Sequence, residues 1–258
     1  MTLPHLILCT DTNIGDSICA MGAAQYIAEQ KRPTPVYIHM AHPEVMRMMM
    51  TGDMRELILA PGGQQIMHVL KLDVGQALTD WNREDHLINS YLRQAGIRID
   101  HVPQPKIALL RYWTGSGFDE PSVPTYDYLI APWSKDSART MTVVEFAALC
   151  DILDGSVGIL GSAHDVRPYP ALRYEYGRPL TDVVAMMRAA RKAVITVDSG
   201  MNRLAHAANI SNHVILHPNY LPEHWVTYPG AILVHAPWSP GRVRTALQER
   251  PDALRCAI

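Results

Sequence analysis

Ile195-Thr196-Val197-Asp198-Ser199-Gly200-Met201-Asn202-Arg203-Leu204-Ala205-His206-Ala207-Ala208 is an apolar β-type run that passes through Asp-Ser-Gly straight into a helical pattern. In a parallel sheet such a strand-to-helix turn sets backbone N–H groups and the positive end of the helix dipole at the carboxyl edge of the strands, where phosphates bind. Gly200 lets a diphosphate approach the backbone, Ser199 and Asn202 offer polar side chains, and Arg203 is expected to project one helical turn later as a cation. The same turn needs no ligand if Asp198 or Ser199 only caps the helix.

Outward from this stretch, short β-type runs alternate with helical patterns, the mark of βαβ units and parallel sheets. The second half reads as strand Tyr128 to Ala131, helix Thr142 to Leu153, strand Val157 to Leu160, helix Leu180 to Ala190, strand Ala193 to Val197, helix Gly200 to Ala208 and strand Val214 to Leu216. The first half reads as strand His5 to Thr10, helix Asp16 to Gln30, strand Val36 to Met40, a Met-rich helix from Glu44 to Met50 and a third strand at Leu57-Ile58-Leu59. Residues 112 to 126 collect Gly, Pro and Ser without periodicity and read as a linker. The expected organisation is an α/β domain over 1–125, a second over 126–240, and a terminal helix within 241–258 packing back.

Composition narrows the function classes. The 258 residues are 48% hydrophobic and 19% charged, enough for a packed core and unlike a disordered chain. Lys and Arg total 23 against 25 Asp and Glu, a formal charge of -2, so the balance disfavours a nucleic-acid partner. Cys9, Cys19, Cys150 and Cys256 form no CxxC pair and sit among apolar neighbours, as reduced core thiols do. The first thirty residues carry no Lys or Arg for a signal-peptide n-region, and no apolar run reaches the roughly 18 residues of a span. A cytoplasmic protein without membrane insertion is the expectation.

Two further segments carry candidate chemistry. After the strand ending at Ala131, Pro132-Trp133-Ser134-Lys135-Asp136-Ser137-Ala138-Arg139-Thr140 combines two cations with hydroxyl groups just before a helix, suited to the far side of the same diphosphate or to a plain solvated loop. Asn13-Ile14-Gly15-Asp16 follows the first strand, where Gly15 permits a tight turn and Asp16 either begins the helix as its cap or offers a carboxylate base toward an interdomain cleft. GxxxxGK[ST], GxGxxG after the first strand, HExxH and GxSxG are absent, which sets kinase, dehydrogenase, zinc-protease and hydrolase readings back. His213 and His217 share one face of a strand and read as packing residues, and Met46, Met48, Met49 and Met50 as helix core filling.

Taken in order, these pieces resemble the lipopolysaccharide heptosyltransferases, glycosyltransferase family 9. Val197-Asp198-Ser199-Gly200 followed by Leu204-Ala205-His206-Ala207-Ala208 looks like that family's donor-binding element, Tyr176-Gly177-Arg178-Pro179-Leu180-Thr181-Asp182-Val183 resembles the segment upstream, and Gly15-Asp16 resembles the Gly-Asp that supplies its base. The resemblance implies the GT-B fold, two Rossmann-like α/β/α domains facing a central cleft. It also implies an inverting, metal-independent transfer of a sugar from a nucleotide-sugar donor to a glycan, glycolipid or other hydroxyl acceptor, with no cofactor. On it, Asp16 is the catalytic base, Asn13 and Gly15 lie on the acceptor side, and Ser134, Ser137, Asp198, Ser199, Gly200, Asn202 and Arg203 face the donor. Lys135 or Arg139 then meets the diphosphate and Asp165 the donor ribose. Two departures stand out: Arg203 occupies a place where the family usually has His, and the chain is short, chiefly in its first half. The alternatives are a nucleotide-sugar epimerase or hydrolase on the same frame, a non-catalytic nucleotide-binding module, and, more remotely, a transferase acting on a DNA base.

Overall fold

The computed structural model describes residues 5–9, 13–57, 68–73, 86–108, 121–219, 221, 223 and 228–248. Residue contacts divide the chain into Met1–Glu120 and Pro121–Ile258, against an expected boundary at 125.

In the first unit β1 (His5–Cys9) runs into α1 (Ile14–Gln30), followed by β2 (Val36–Met40), α2 (Pro43–Met49), β3 (Met54–Glu56), β4 (His68–Leu72) and α3 (Leu87–Gln94). The strands form one parallel sheet in the order β3-β2-β1-β4. Small and apolar residues bury α1 on nearly every side, from Ile18 to Ala28. Gln25 is the polar exception, and it is satisfied: its amide donates to the Met49 and Lys106 carbonyls, each at 2.6 Å, and accepts from the Lys106 N–H at 2.9 Å. This clamp joins α1 to the end of α2 and to the segment after α3, at a buried side chain that would cost a few kcal/mol if left unbonded.

Two expectations are corrected here. The helix starts at Ile14 and not at Asp16, because Asn13 keeps an extended backbone while its carbonyl already accepts from Ser17 N–H at 3.0 Å. The third strand is Met54–Glu56, paired with Val36–Ile38, and ends before Leu57; Ile58 and Leu59 of the strand expected at 57–59 fall outside the described residues. Periodicity also missed β4 and α3. β4 is exposed along most of its length, so it carries little apolar signal.

The second unit contains β5 (Tyr128–Ala131), a 3-10 turn (Ser137–Arg139), α4 (Val143–Ile152), β6 (Val157–Gly161), β7 (Arg173–Tyr176), α5 (Leu180–Ala189), β8 (Ala193–Val197), α6 (Gly200–Ala207), β9 (His213–His217), β10 (Ile232–His235) and α7 (Pro240–Gln248). Six parallel strands lie in the order β10-β9-β8-β5-β6-β7. Renumbered within the unit this is 3-2-1-4-5-6, the order of the dinucleotide-binding Rossmann fold. β5, β8 and β9 are buried at every position, as strands covered on both faces should be. Ile130, Phe146, Ile159, Ile195, Val214 and Leu216 build the core, closed by Val243 and Ala246 of α7, which packs on α4 and β10 of its own unit. A capping box fixes the start of α4: Thr142 accepts from Glu145 N–H while Glu145 accepts from Thr142 N–H. Gly158 must lack a side chain, since a Cβ there would sit 2.5 Å from the Tyr126 ring.

The linker expected over 112–126 is described only from residue 121 onward, and Thr10, Glu249 and Cys256 lie outside the described residues. Cys9 and Cys19 are buried, and burial pushes the Cys150 thiol up to about 11, so it stays protonated at neutral pH. Among the described residues no helix is long and apolar enough to cross a membrane.

Candidate donor site

β5 and β8 are neighbours in the second sheet, yet the chain leaves β5 toward β6 on one side and β8 toward β9 on the other. At such a switch point the loops beyond the carboxyl ends part and leave a crevice for a ligand. The loops there are Pro132–Thr140 after β5 and Asp198-Ser199 after β8.

The first loop is held by its own polar groups. Thr140 Oγ1 accepts from Ser134 N–H and donates to the Ser134 carbonyl, both at 2.9 Å, and Asp136 caps the 3-10 turn by accepting from Ala138 N–H at 3.0 Å. Asp136 also lies 3.2 Å from Arg139 Nε, which orients the guanidinium. Ser199 caps α6, its hydroxyl accepting from Met201 N–H at 3.3 Å.

Asp198 joins the two loops. Its carboxylate is almost fully buried; Arg139 Nη1 donates to Oδ2 at 2.8 Å, Arg203 Nη2 stands 3.8 Å from Oδ1, and Asn202 Nδ2 reaches Oδ1 at 3.5 Å. Two guanidiniums from separate elements therefore share one carboxylate at the N-terminus of α6. With Asp136 also beside Arg139, the two guanidiniums are balanced by two carboxylates, and it is the first-turn N–H groups and dipole of α6 next to Arg139 that suit the place to an anion. Arg203 stands one turn into α6, as expected. Its side chain is 10% exposed and turned toward Asp198, since a buried guanidinium is tolerated only beside a counter-charge.

The structure resembles known proteins only in fold. No family profile matches the chain, and no curated protein matches it in sequence. Among solved structures it is similar to the E. coli heptosyltransferase WaaC with ADP, at 9% identity and a TM-score of 0.69, covering 95% of this chain and 99% of that one. It is similar to a family 9 glycosyl transferase from Veillonella parvula at 13% identity and 0.64, covering 98% and 92%. It is also similar to the dodecameric iron-containing heptosyltransferase TibC of E. coli in complex with ADP-D-beta-D-heptose, at 16% identity and 0.68. That match covers 89% of this chain and 62% of TibC, so the chain spans less than two thirds of that relative's length. The fold is the GT-B fold of these heptosyltransferases.

Within the GT-B fold, the donor-side residues named from sequence fall at the carboxyl edges of three adjacent strands, β8, β5 and β6. Asp198, Ser199, Gly200, Asn202 and Arg203 follow β8, and Ser134, Lys135, Ser137 and Arg139 follow β5. Arg139 bonds Asp198, whereas Lys135 and Ser137 are exposed on the same loop. Asp165 lies beyond β6 and is partly buried, accepting from Ser162 N–H at 2.6 Å in a tight turn. A Cβ on Gly161 would come within 2.8 Å of the Asp165 carboxylate, so a small residue is needed there. In the first unit Asp16 occupies the first turn of α1, partly exposed, and accepts from Asn13 Nδ2 at 3.1 Å, with Gly15 one residue before it.

Sequence reasoning missed the side chains that hold these loops. Trp133 Nε1 donates to the Tyr176 hydroxyl at 2.6 Å, and that hydroxyl donates to the Val166 carbonyl at 2.8 Å, tying the β5 loop to β7 and to the β6–β7 loop. Burial raises Tyr176 to about 12, so the hydroxyl remains a donor. Behind α6, His206 stacks on Tyr228 with centroids 4.0 Å apart. The Tyr228 hydroxyl bonds His213 Nδ1, and His213 Nε2 lies 2.8 Å from Thr196 Oγ1. Burial, reinforced by Arg203, pushes His206 down to about 3, leaving a neutral ring that packs. His213 and His217 are fully buried, consistent with packing roles. Among the described residues no group of three His, Cys, Asp or Glu is placed to hold a metal ion.

Proposed function

We propose that the protein is a glycosyltransferase that takes a sugar from a nucleotide-sugar donor to a hydroxyl acceptor, with the donor diphosphate at the N-terminus of α6. The observation that carries this reading is the Asp198-centred pair of guanidiniums, Arg139 and Arg203, at the switch point of a Rossmann sheet. The ligands of two similar structures, ADP and ADP-D-beta-D-heptose, make an adenosine-diphosphate sugar the first donor to test.

In this mechanism the acceptor oxygen attacks the anomeric carbon while the bond from that carbon to the diphosphate oxygen breaks on the opposite face, inverting the centre. Asp16 takes the acceptor proton. The departing diphosphate gains charge as the bond breaks, and Arg139, Arg203 and the N–H groups of the first α6 turn stabilise it, each preorganised donor contributing about 3 kcal/mol. These cations supply the charge neutralisation for which other transferases use a divalent metal, so activity should survive EDTA. Arg139 is the phosphate cation and Lys135 a neighbour of lesser weight. Asp165 takes the ribose hydroxyls.

The test is a thermal-shift panel of nucleoside diphosphates and their sugars on the full chain, followed by transfer assays with the sugar that binds. A ligand at about 100 times its dissociation constant stabilises the native state by roughly 2.7 kcal/mol, a readily measured shift. A shift with ADP and its sugars supports the reading. No shift with any nucleoside diphosphate would overturn it.

A further inference from the structure

On the outer side of the second sheet, beside its edge strand β7, lies a groove of about 520 Å³ lined by Arg167, Arg173, Tyr174, Glu175 and Arg178 among others. Three guanidiniums thus line one groove with a single carboxylate. That carboxylate is already engaged. Glu175 is buried, accepts from the Tyr126 hydroxyl, and pairs with Arg178 at 2.7 Å. Burial alone would raise the Glu175 pKa, but the bonds from Tyr126 and Arg178 outweigh it and hold it below its ordinary value, so it stays ionised and committed to Arg178.

Arg173 and Arg167 make no ion pair among the described residues. Arg167 is instead fixed by aromatic faces, its guanidinium 5.1 Å from the Tyr176 centroid and 5.9 Å from that of Tyr174. Stacking leaves the in-plane N–H fork of an arginine unoccupied, and that fork matches the oxygens of a phosphate. A groove with two cations beyond its internal neutralisation, one of them pre-oriented, is an anion receptor in a chain whose net charge of -2 gives no general attraction for anions.

We propose that this groove is a second anion site, distinct from the α6 N-terminus, which takes a phosphate group on Arg167 and Arg173 with Arg178 at its border. The bearer of that phosphate is either a soluble phosphate ester or a lipid headgroup. The site does not depend on the donor reading, since no residue lining it belongs to the β5 or β8 loops.

The probe is inorganic pyrophosphate on the full chain, and the readout is phenylglyoxal modification of individual arginines mapped by mass spectrometry. At about ten times the dissociation constant the unliganded fraction falls roughly ten-fold, and labelling of Arg167 and Arg173 should fall with it. Labelling of Arg98, exposed in the first unit, should not change. The protection should persist in Arg139→Gln, and in Arg173→Gln the protection of Arg167 should disappear. A second arm replaces pyrophosphate with phosphatidylglycerol or phosphatidylcholine vesicles. Protection by pyrophosphate identifies a soluble ligand, and protection by phosphatidylglycerol alone identifies a headgroup. Labelling of Arg173 that tracks Arg98 in every arm would overturn the proposal, as would protection by pyrophosphate that vanishes in Arg139→Gln.

Discussion

Replacing Asp198 by Asn separates two roles that a buried carboxylate beside a diphosphate site can have. If it repels the phosphates, removing its charge tightens nucleotide binding. If it holds Arg139 and Arg203 in place, removing its charge loosens them and weakens binding. The geometry favours the second, because Arg139 Nη1 is 2.8 Å from a carboxylate whose side chain is only 5% exposed. Breaking a buried pair commonly costs about 3–5 kcal/mol. Arg139 is 29% exposed and Arg203 stands off at 3.8 Å, so water recovers part of that loss. A destabilisation of about 2–3 kcal/mol follows, which at roughly 2–4 °C per kcal/mol lowers the midpoint by about 4–12 °C. The loosened Arg139 must then be re-ordered by the ligand, at about 0.5–1.5 kcal/mol, a loss of roughly two- to ten-fold in affinity. Urea denaturation and calorimetric titration with ADP measure the two effects on one sample. Binding that is unchanged or tighter in Asp198→Asn would refute the clasp.

Three further outcomes follow from the same geometry. Arg139→Gln should weaken nucleoside diphosphate binding by about ten-fold or more, the loss of one charge-assisted contact, while Lys135→Gln stays within about two-fold; calorimetry on both variants decides which cation matters. Asp16→Asn should lower turnover by roughly two orders of magnitude with donor affinity nearly unchanged, because a general base acts in the transition state; transfer at parental rate would remove Asp16 from the mechanism. Acid stability should depend on Asp127, whose carboxylate accepts from Ser156 N–H, Ser156 Oγ and Arg191 Nε at 2.8–2.9 Å and is held down to about 2 by those bonds, the Ser156 backbone first. Since the folded value lies below the ordinary 3.8, its contribution is complete above that pH and is lost as pH falls toward 2; unfolding midpoints of Asp127→Asn should therefore be flatter than the parent's across that window.

The second unit was largely legible because its strands are buried on both faces and read as unbroken apolar runs, as in Ala193–Val197, and because Asp-Ser-Gly marks the turn into α6. β7 escaped notice because Arg173-Tyr174-Glu175-Tyr176 is an edge strand with a charge at alternate positions. β4 escaped for the same reason, with four of its five residues not fully buried. The start of α1 was misjudged because Asp is a common cap, and nothing local distinguishes Asp16 as a cap from Asp16 within the first turn behind Asn13. The Arg139–Asp198 pair joins residues 59 apart in sequence, so neither segment alone disclosed it. The inward turn of Arg203 had the same origin, since only the placed carboxylate makes that burial tolerable.

The claim that a nucleotide-sugar diphosphate sits at the N-terminus of α6 is tested most directly by a crystal structure of the full chain soaked with ADP. The account predicts the β-phosphate within hydrogen-bonding distance of the first-turn N–H groups of α6 and of the Arg139 guanidinium, with Asp198 still bonded to Arg139. ADP bound with its diphosphate elsewhere on the second unit, leaving Arg139 and the start of α6 untouched, would contradict it.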